Sequence, residues 1–392
     1  MRREESHSRG GGAQTSQASY RTGMEIAPRW ARPWRWLVLV GSVALLAALP
    51  ALVAAMPVSA PRLGAAELLA RVRDSAAAPY QGYAESRASL GLPDLPVVGR
   101  QTALLGTITR IRAWVASPTL WRVDELTAIG ERDLYHDESG TLEWDSGSSR
   151  VQRTVGDPVV RFARPADLLP PELGRRLAAA ATAGEARPLA PRRVAGVEAL
   201  GLRITPRSPT TTVSRVDLWA DPSSGLPVRV ELTARGGGGP IIVTSFLDLR
   251  QKAPDSSTVR FQVPPGAQVD FDDAPDLARA VERFSPFVLP DSLGGAPRRT
   301  EVASAASTYG RGYDLVAALA FPARIGQRSR DFLESVPSKQ GPWGKASEIA
   351  TPLLNLMVFE RDGALFALSG TVGFRTLEGI ATQLARDGVR VR

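Results

Sequence analysis

Between about residue 103 and residue 263 an apolar side chain recurs at every second position, a periodicity that leaves few folds open to this chain. The segments LLGTITRIRAWV, LWRVDEL, DLYHD, TLEWD, LGLRITP, IIVTSFLDL and STVRFQV each alternate, and turn residues part them. Strand, turn and strand over this length predict a large antiparallel sheet. The run breaks once, at residues 170–184 (PPELGRRLAAAATAG). There the prolines suit a first turn, Leu173 and Leu177 share a side and a glycine closes the segment, so a helix is predicted. A second amphipathic helix is expected at residues 64–75, with Leu68, Leu69, Val72 and Ala76 on one stripe. Seven or more strands then share two short helices as cover. Such a sheet buries its apolar face by curling into a barrel or half-barrel, or by pairing as a sandwich.

The sharpest hairpin signal is VDLWADPSSGLPVRVEL, residues 216–232, whose turn is built from Asp221, Pro222 and Gly225. Any register that pairs like with like puts Val216 and Leu218 on one face with Val228, Val230 and Leu232. Arg215, Asp217, Arg229 and Glu231 then face water. Upstream, Trp121 and Val123 share a face of LWRVDEL, and Leu142 and Trp144 are in phase on TLEWD.

Charge narrows the function classes. Of the formal net charge of +8, half sits in residues 1–36, which hold seven arginines against three glutamates. The rest is spread over some 350 residues without the clustered basic stripe that a phosphate backbone requires, so nucleic acid is not an expected partner. The chain has no cysteine, which excludes disulfides, a thiol nucleophile and a zinc-thiolate site. His136 is the only histidine after His7, and no G-x-S-x-G, H-E-x-x-H or phosphate-loop motif occurs; Gly236 to Gly239 read as a hairpin turn. Asp270, Asp272, Asp273 and Asp276 read as the charged start of a helix through Leu277, Val281 and Phe284 in preference to a calcium site. Neither a catalytic residue, a metal nor a cofactor is expected.

Residues 36–60 carry no charge and come after Arg29, Arg32 and Arg35, with Trp30 and Trp34 among them. They are long enough to span a bilayer with the N-terminus in the cytoplasm, and they also fit a cleaved signal sequence. In both cases the chain beyond residue 60 is exported. Residues 1–35 have the composition of a disordered tail.

The succession of a helix after the export signal, strands ending in LYHDESGTLEWDSGSSRV, a helix, VAGVEALGLRITP and the 216–232 hairpin resembles the LolA/RseB (MucB)-like superfamily. The strand, Asp-Pro, Gly-Leu-Pro, strand order of the hairpin is its most specific part, and the likeness covers about residues 63–265. It implies a mainly β (α+β) fold: a curved antiparallel half-barrel with helices across its mouth and an apolar concave face for acyl chains. Candidate wall residues are then Trp121, Val123, Leu142, Trp144, Val216, Leu218, Val228 and Val230. A hairpin at residues 355–372, turning at Arg361-Asp362-Gly363, and a helix carrying Leu377, Ile380, Ala381 and Leu384 are similar to the C-terminal module of the RseB branch. A retained anchor departs from that family, as does the lack of a cysteine to carry a lipid.

The expected organisation is a tail (1–35), an anchor or signal (36–60), a half-barrel domain (61–270), a helix and linker (271–299) and a small α+β module (300–392). The expected role is that of a membrane-tethered, extracytoplasmic, non-enzymatic protein binding lipid, a lipid-modified protein or another amphiphile. The alternative is a regulatory module that binds the exported part of a single-pass membrane regulator.

Overall fold

In the computed structural model, which describes residues 63–91, 103–128, 130–155, 163–273, 281, 283–324 and 330–391, the alternating segments other than STVRFQV are strands. Residues 1–62 lie outside the described residues, and with them the expected tail and the apolar segment 36–60. Among the described residues no helix is long and apolar enough to cross a membrane.

The first meander is β1 (Tyr80–Ala88), β2 (Ile108–Ser117), β3 (Leu120–Thr127), β4 (Gly130–Asp137), β5 (Gly140–Asp145) and β6 (Arg150–Val155). A second comprises β7 (Ala186–Val194), β8 (Val197–Ile204), β9 (Val213–Ala220), β10 (Pro227–Ala234) and β11 (Pro240–Arg250). They join where β1 pairs with β11, and β12 (Gln268–Asp273) adds an edge beside β6. The result is an open sheet of twelve strands, β12-β6-β5-β4-β3-β2-β1-β11-β10-β9-β8-β7, antiparallel except for the parallel pair β12 and β6.

Two helices cover one face of this sheet. Leu68, Leu69 and Val72 of α1 (Ala65–Asp74) bury against Leu202, Ile204, Val216, Leu218, Val230 and Leu232. Helix α2 (Pro170–Ala180) packs beside them at a close approach made by Gly174, whose absent Cβ would stand 2.7 Å from Pro227. The β9–β10 hairpin pairs like with like as expected, with Val216 opposite Leu232 and Leu218 opposite Val230. Its turn closes through Asp221, whose Oδ1 accepts from the amides of Ser223 and Ser224, both at 2.8 Å. Burial opposes ionisation there, but these bonds and those from the Ser223 hydroxyl and Gln251 outweigh it and hold the Asp221 carboxyl below its ordinary pKa. Gly225 sits at φ +71° with its missing Cβ only 2.2 Å from the Arg71 carbonyl, so the hairpin tip rests on the end of α1.

Three sequence expectations change. Asp217 does not face water: it is buried, and Arg203 donates to both its oxygens at 2.6 and 2.7 Å. Residues 257–263 form no strand. Their alternation is met by laying Val259 and Phe261 on the sheet's helix-free side, Phe261 against Tyr135 (5.1 Å between ring centroids) and Trp144 (6.2 Å). The acidic run at residues 270–273 belongs to β12, where parallel pairing with β6 claims its backbone. Asp276 and Leu277 lie outside the described residues, while Val281 is helical.

The C-terminal part begins with β13 (Phe287–Val288), β14 (Ser292–Leu293), β15 (Ala296–Ala303), β16 (Ala306–Arg311) and β17 (Asp314–Pro322). Helix α3 (Arg330–Ser335) leads to β18 (Ser338–Gly341), β19 (Gly344–Ala350), β20 (Asn355–Arg361) and β21 (Ala364–Gly370). Helix α4 (Phe374–Asp387) and β22 (Arg390–Val391) end the chain. Eight strands form an antiparallel sheet, β14-β15-β16-β17-β21-β20-β19-β18, on which α4 buries Leu377, Ile380, Ala381 and Leu384. The 355–372 hairpin turns through Asp362 and Gly363, both at positive φ.

A threonine strap joins the two sheets. Thr211 donates its hydroxyl to the Tyr313 carbonyl (3.0 Å), Thr212 its amide to Thr371 (2.9 Å), and Tyr313 its phenol to the Leu177 carbonyl of α2 (2.6 Å).

Gly225→Ala combines a left-handed φ with a backbone clash and is expected to cost about 2–4 kcal/mol in denaturant unfolding. Gly236→Ala, at φ +75° with open space around it, is the control and should cost about 1 kcal/mol.

Candidate ligand cleft

Cross-strand register assembles the site. Tyr80, Val115, Trp121, His136 and Thr141 are successive partners across β1 to β5 and therefore share the helix-covered face. Val123 lies one row further in, between Ala113 and Leu134. The His136 ring stacks on Trp121 at 5.1 Å and 18°, and its Nδ1 is 3.1 Å from the Thr141 hydroxyl. Tyr80 is held edge-on by Phe246 at 5.6 Å. Burial, then the negative charge of Glu172, drives its phenol far above the ordinary pKa, so it stays neutral.

Over this floor stand a 3-10 turn, Pro165–Leu168, and the first turns of α2. The Thr244 hydroxyl fastens the turn to the sheet by donating to the Leu168 carbonyl (2.6 Å). Between cover and floor lies a cleft of about 300 Å³. Its rim carries Arg164, Arg175 and Arg176 with Asp167 and Glu172. Arg176 donates to Asp167 (2.5 Å), Arg175 to Glu172, and Arg164 to the Thr141 hydroxyl (2.9 Å). An aromatic and aliphatic floor beneath a mixed, arginine-rich rim suits a molecule with one apolar and one polar end.

The eight sequence-derived wall residues separate into three groups. Trp121 and Val123 line the cleft. Val216, Leu218, Val228 and Val230 share its face of the sheet but have 0% exposure, because helices and neighbouring side chains fill the space above them. Leu142 and Trp144 point to the opposite face, since Leu142 pairs with Tyr135 and Trp144 with Asp133. Leu142 there borders a larger cavity of about 710 Å³ between the β4–β5 turn and Val259 to Phe261.

That opposite face holds a charged network which the alternation concealed. Arg122 lies between the rings of Trp114 and Tyr135, 5.0 and 4.9 Å from their centroids. It donates to both oxygens of Asp124 (2.7 and 2.8 Å) and to Oδ2 of Asp133 (3.0 Å). Burial, reinforced by the charge of Asp124, pushes the Asp133 carboxyl up to about 7. In the sequence, Arg122 and Asp124 look like the solvent side of a strand; the usable signal was Trp114 and Tyr135 on the same side of the two strands that flank β3. The rim arginines were missed for another reason. Gly174, placed inside a helical pattern, was the only hint that α2 approaches the sheet closely.

The described residues thus form an open, mainly β sheet with one face under helices and a polar-rimmed cleft on that face. No protein-family model matches the chain, and no curated protein matches it. Among solved structures it is similar to MucB in complex with MucA(peri), at 16% identity over 84% of this chain and 99% of that one, with a TM-score of 0.46. It is also similar to the MucA/MucB complex of Pseudomonas aeruginosa, at 16% identity with the same coverage and a TM-score of 0.45. A LolA superfamily protein from Nitrosomonas europaea aligns at 11% identity over 51% of this chain and 99% of that one, with a TM-score of 0.22.

Arg122→Met leaves two buried aspartates without their counter-charge. It is expected to lower the unfolding free energy by about 3–5 kcal/mol, read by chemical denaturation at neutral pH.

Proposed function

We propose that the cleft over Trp121 and Val123 holds the acyl chain of a lipid, a lipid-modified protein or another amphiphile. In this reading the twelve-stranded sheet is a curved half-barrel, and residues 61–270 are a non-enzymatic binding domain. Residues 36–60 tether it to the membrane, and residues 300–392 are an accessory module on the same extracytoplasmic side. The observation that carries the proposal is the pairing of the Tyr80, Val115, Trp121 and Val123 floor with the Arg164, Arg175 and Arg176 rim. A chain laid on that floor gains about 0.8 kcal/mol per buried CH2, and the rim offers guanidinium donors to the polar end. A volume of about 300 Å³ lies at the small end of ligand sites, which suits one chain better than several.

Val115→Trp, which fills the cleft from a half-buried position, is expected to weaken binding of a fluorescent fatty acid at least tenfold while the circular dichroism spectrum is kept. Unchanged affinity in the folded variant would remove the cleft as the site. Leu218→Trp, beneath the helices, should instead cost about 1–3 kcal/mol of stability through overpacking.

A second reading is favoured by a groove of about 680 Å³ in the C-terminal half, where Gly294, Gly295 and Arg311 face Arg375 and Gly379 of α4. MucB was solved in complex with MucA(peri). Here the groove takes an exported segment of a single-pass membrane regulator, with arginines to meet acidic side chains. A Cβ at Gly379 meets nothing within 4 Å, so Gly379→Leu fills the groove without a clash. The expected outcome is loss of such a partner from pull-downs with Gly379→Leu and its retention with Val115→Trp. The reverse pattern assigns the partner to the cleft.

A further inference from the structure

We infer that Asp124, Glu131 and Asp133, on the helix-free face of the twelve-stranded sheet, form a binding site for a hard divalent cation of the calcium class. Each of the three offers a carboxylate oxygen within 4.8 Å of the other two. The sheet imposes this proximity: Asp124 and Asp133 are direct partners across β3 and β4, and Glu131 precedes Asp133 by two residues on the same side of β4.

The second observation is the state of Asp133. The residue is only 5% exposed, and its Oδ1 is buried without a hydrogen-bond partner. The nearby donor is already committed, because Arg122 serves both oxygens of Asp124 and Oδ2 of Asp133. Arg112 stands 4.0 Å from Glu131 Oε2, at the solvent edge of the cluster. Asp124 and Asp133 therefore share one partly buried guanidinium, Glu131 has only Arg112 at its edge, and Asp133 Oδ1 is a buried acceptor without a donor. Carboxylates this close are stabilised by a further positive charge among them, a proton or a cation. All of the ligand atoms are oxygens, which selects a hard cation over zinc or copper. Calcium tolerates an irregular oxygen set better than magnesium does. Glu131, with its side chain 41% exposed, supplies the way in from solvent.

Such a cation would bind β3 to β4 from behind the cleft, since Trp121 and His136 project from the same two strands on the other face. The cation site is independent of whatever occupies the cleft.

Terbium is a suitable probe, because Trp144 is the direct cross-strand partner of Asp133 and can sensitise its luminescence. The full chain, stripped with chelator, is titrated with terbium under tryptophan excitation, then with calcium as competitor, and its melting temperature is read with and without calcium. Saturable luminescence displaced by calcium is expected, with a calcium-dependent rise in melting temperature. Glu131→Gln should weaken terbium at least tenfold, and Asp133→Asn should abolish the signal. Glu131 is exposed enough for its variant to fold even where Asp133→Asn does not. Luminescence equal in wild type and Glu131→Gln would overturn the site. So would a wild type that calcium neither displaces nor stabilises, which would leave a proton as the occupant of Oδ1.

Discussion

Leu68, Leu69 and Val72 of α1, set down on Val216, Leu218, Leu202 and Ile204, form the contact around which the remaining parts are arranged. Each fully buried aliphatic side chain contributes about 1.5–3 kcal/mol, and among the described residues the two helices provide most of that cover. Beneath α1 and the later turns of α2 the face is packed with buried side chains. Over β1 to β4, under the 3-10 turn and the first turns of α2, the same face is left with an aromatic floor and a cleft. Tyr313 and Leu353 from the C-terminal half join this cluster, so one apolar core also fixes where the second sheet attaches. The Thr211 and Thr212 bonds then pair the backbone groups that this attachment would otherwise leave buried without partners.

The two faces of β3 and β4 do different work with adjacent residues. Trp121 and His136 make the cleft floor; Arg122 and Tyr135, next in sequence, make the opposite network. A strand can do this because its side chains alternate by half a turn, and the sheet is thin enough for both environments to share one backbone. Burying Arg122 with two aspartates costs desolvation that an apolar cluster would avoid.

Much of this architecture is legible in the order of residues, and the failures are instructive. Alternation located β2 to β5 and β8 to β11, though not β1, which joins the two meanders, and the Asp221 and Gly225 turn and the Asp362-Gly363 turn marked two hairpins. The same alternation misled at residues 257–263, because a period of two is equally satisfied by one residue in two lying flat against a sheet. It misled again at Asp217, where Arg203 on the neighbouring strand neutralises a charge that pattern alone assigns to water. Of the cleft, Trp121 and Val123 were readable; the arginine rim was not, since its turn is positioned by a bond from Thr244, 76 residues away.

The sequence by itself determined the local conformations: where strands run, where chains turn, and which stripe of α1 and α4 is apolar. These are consequences of rotations and side-chain periods within a few residues. Only the tertiary structure decided which side of each strand is the inside. Trp121 and Leu142 are equally apolar on equally alternating strands, yet they stand on opposite faces, because the tight β3–β4 and β4–β5 turns set Trp121 opposite His136 and Leu142 opposite Tyr135, and these two partners are neighbours on opposite sides of β4. The gathering of Asp124 and Asp133 follows from the same local register, whereas which face the helices cover, and the placing of arginines over an aromatic floor, depend on elements far away in the chain.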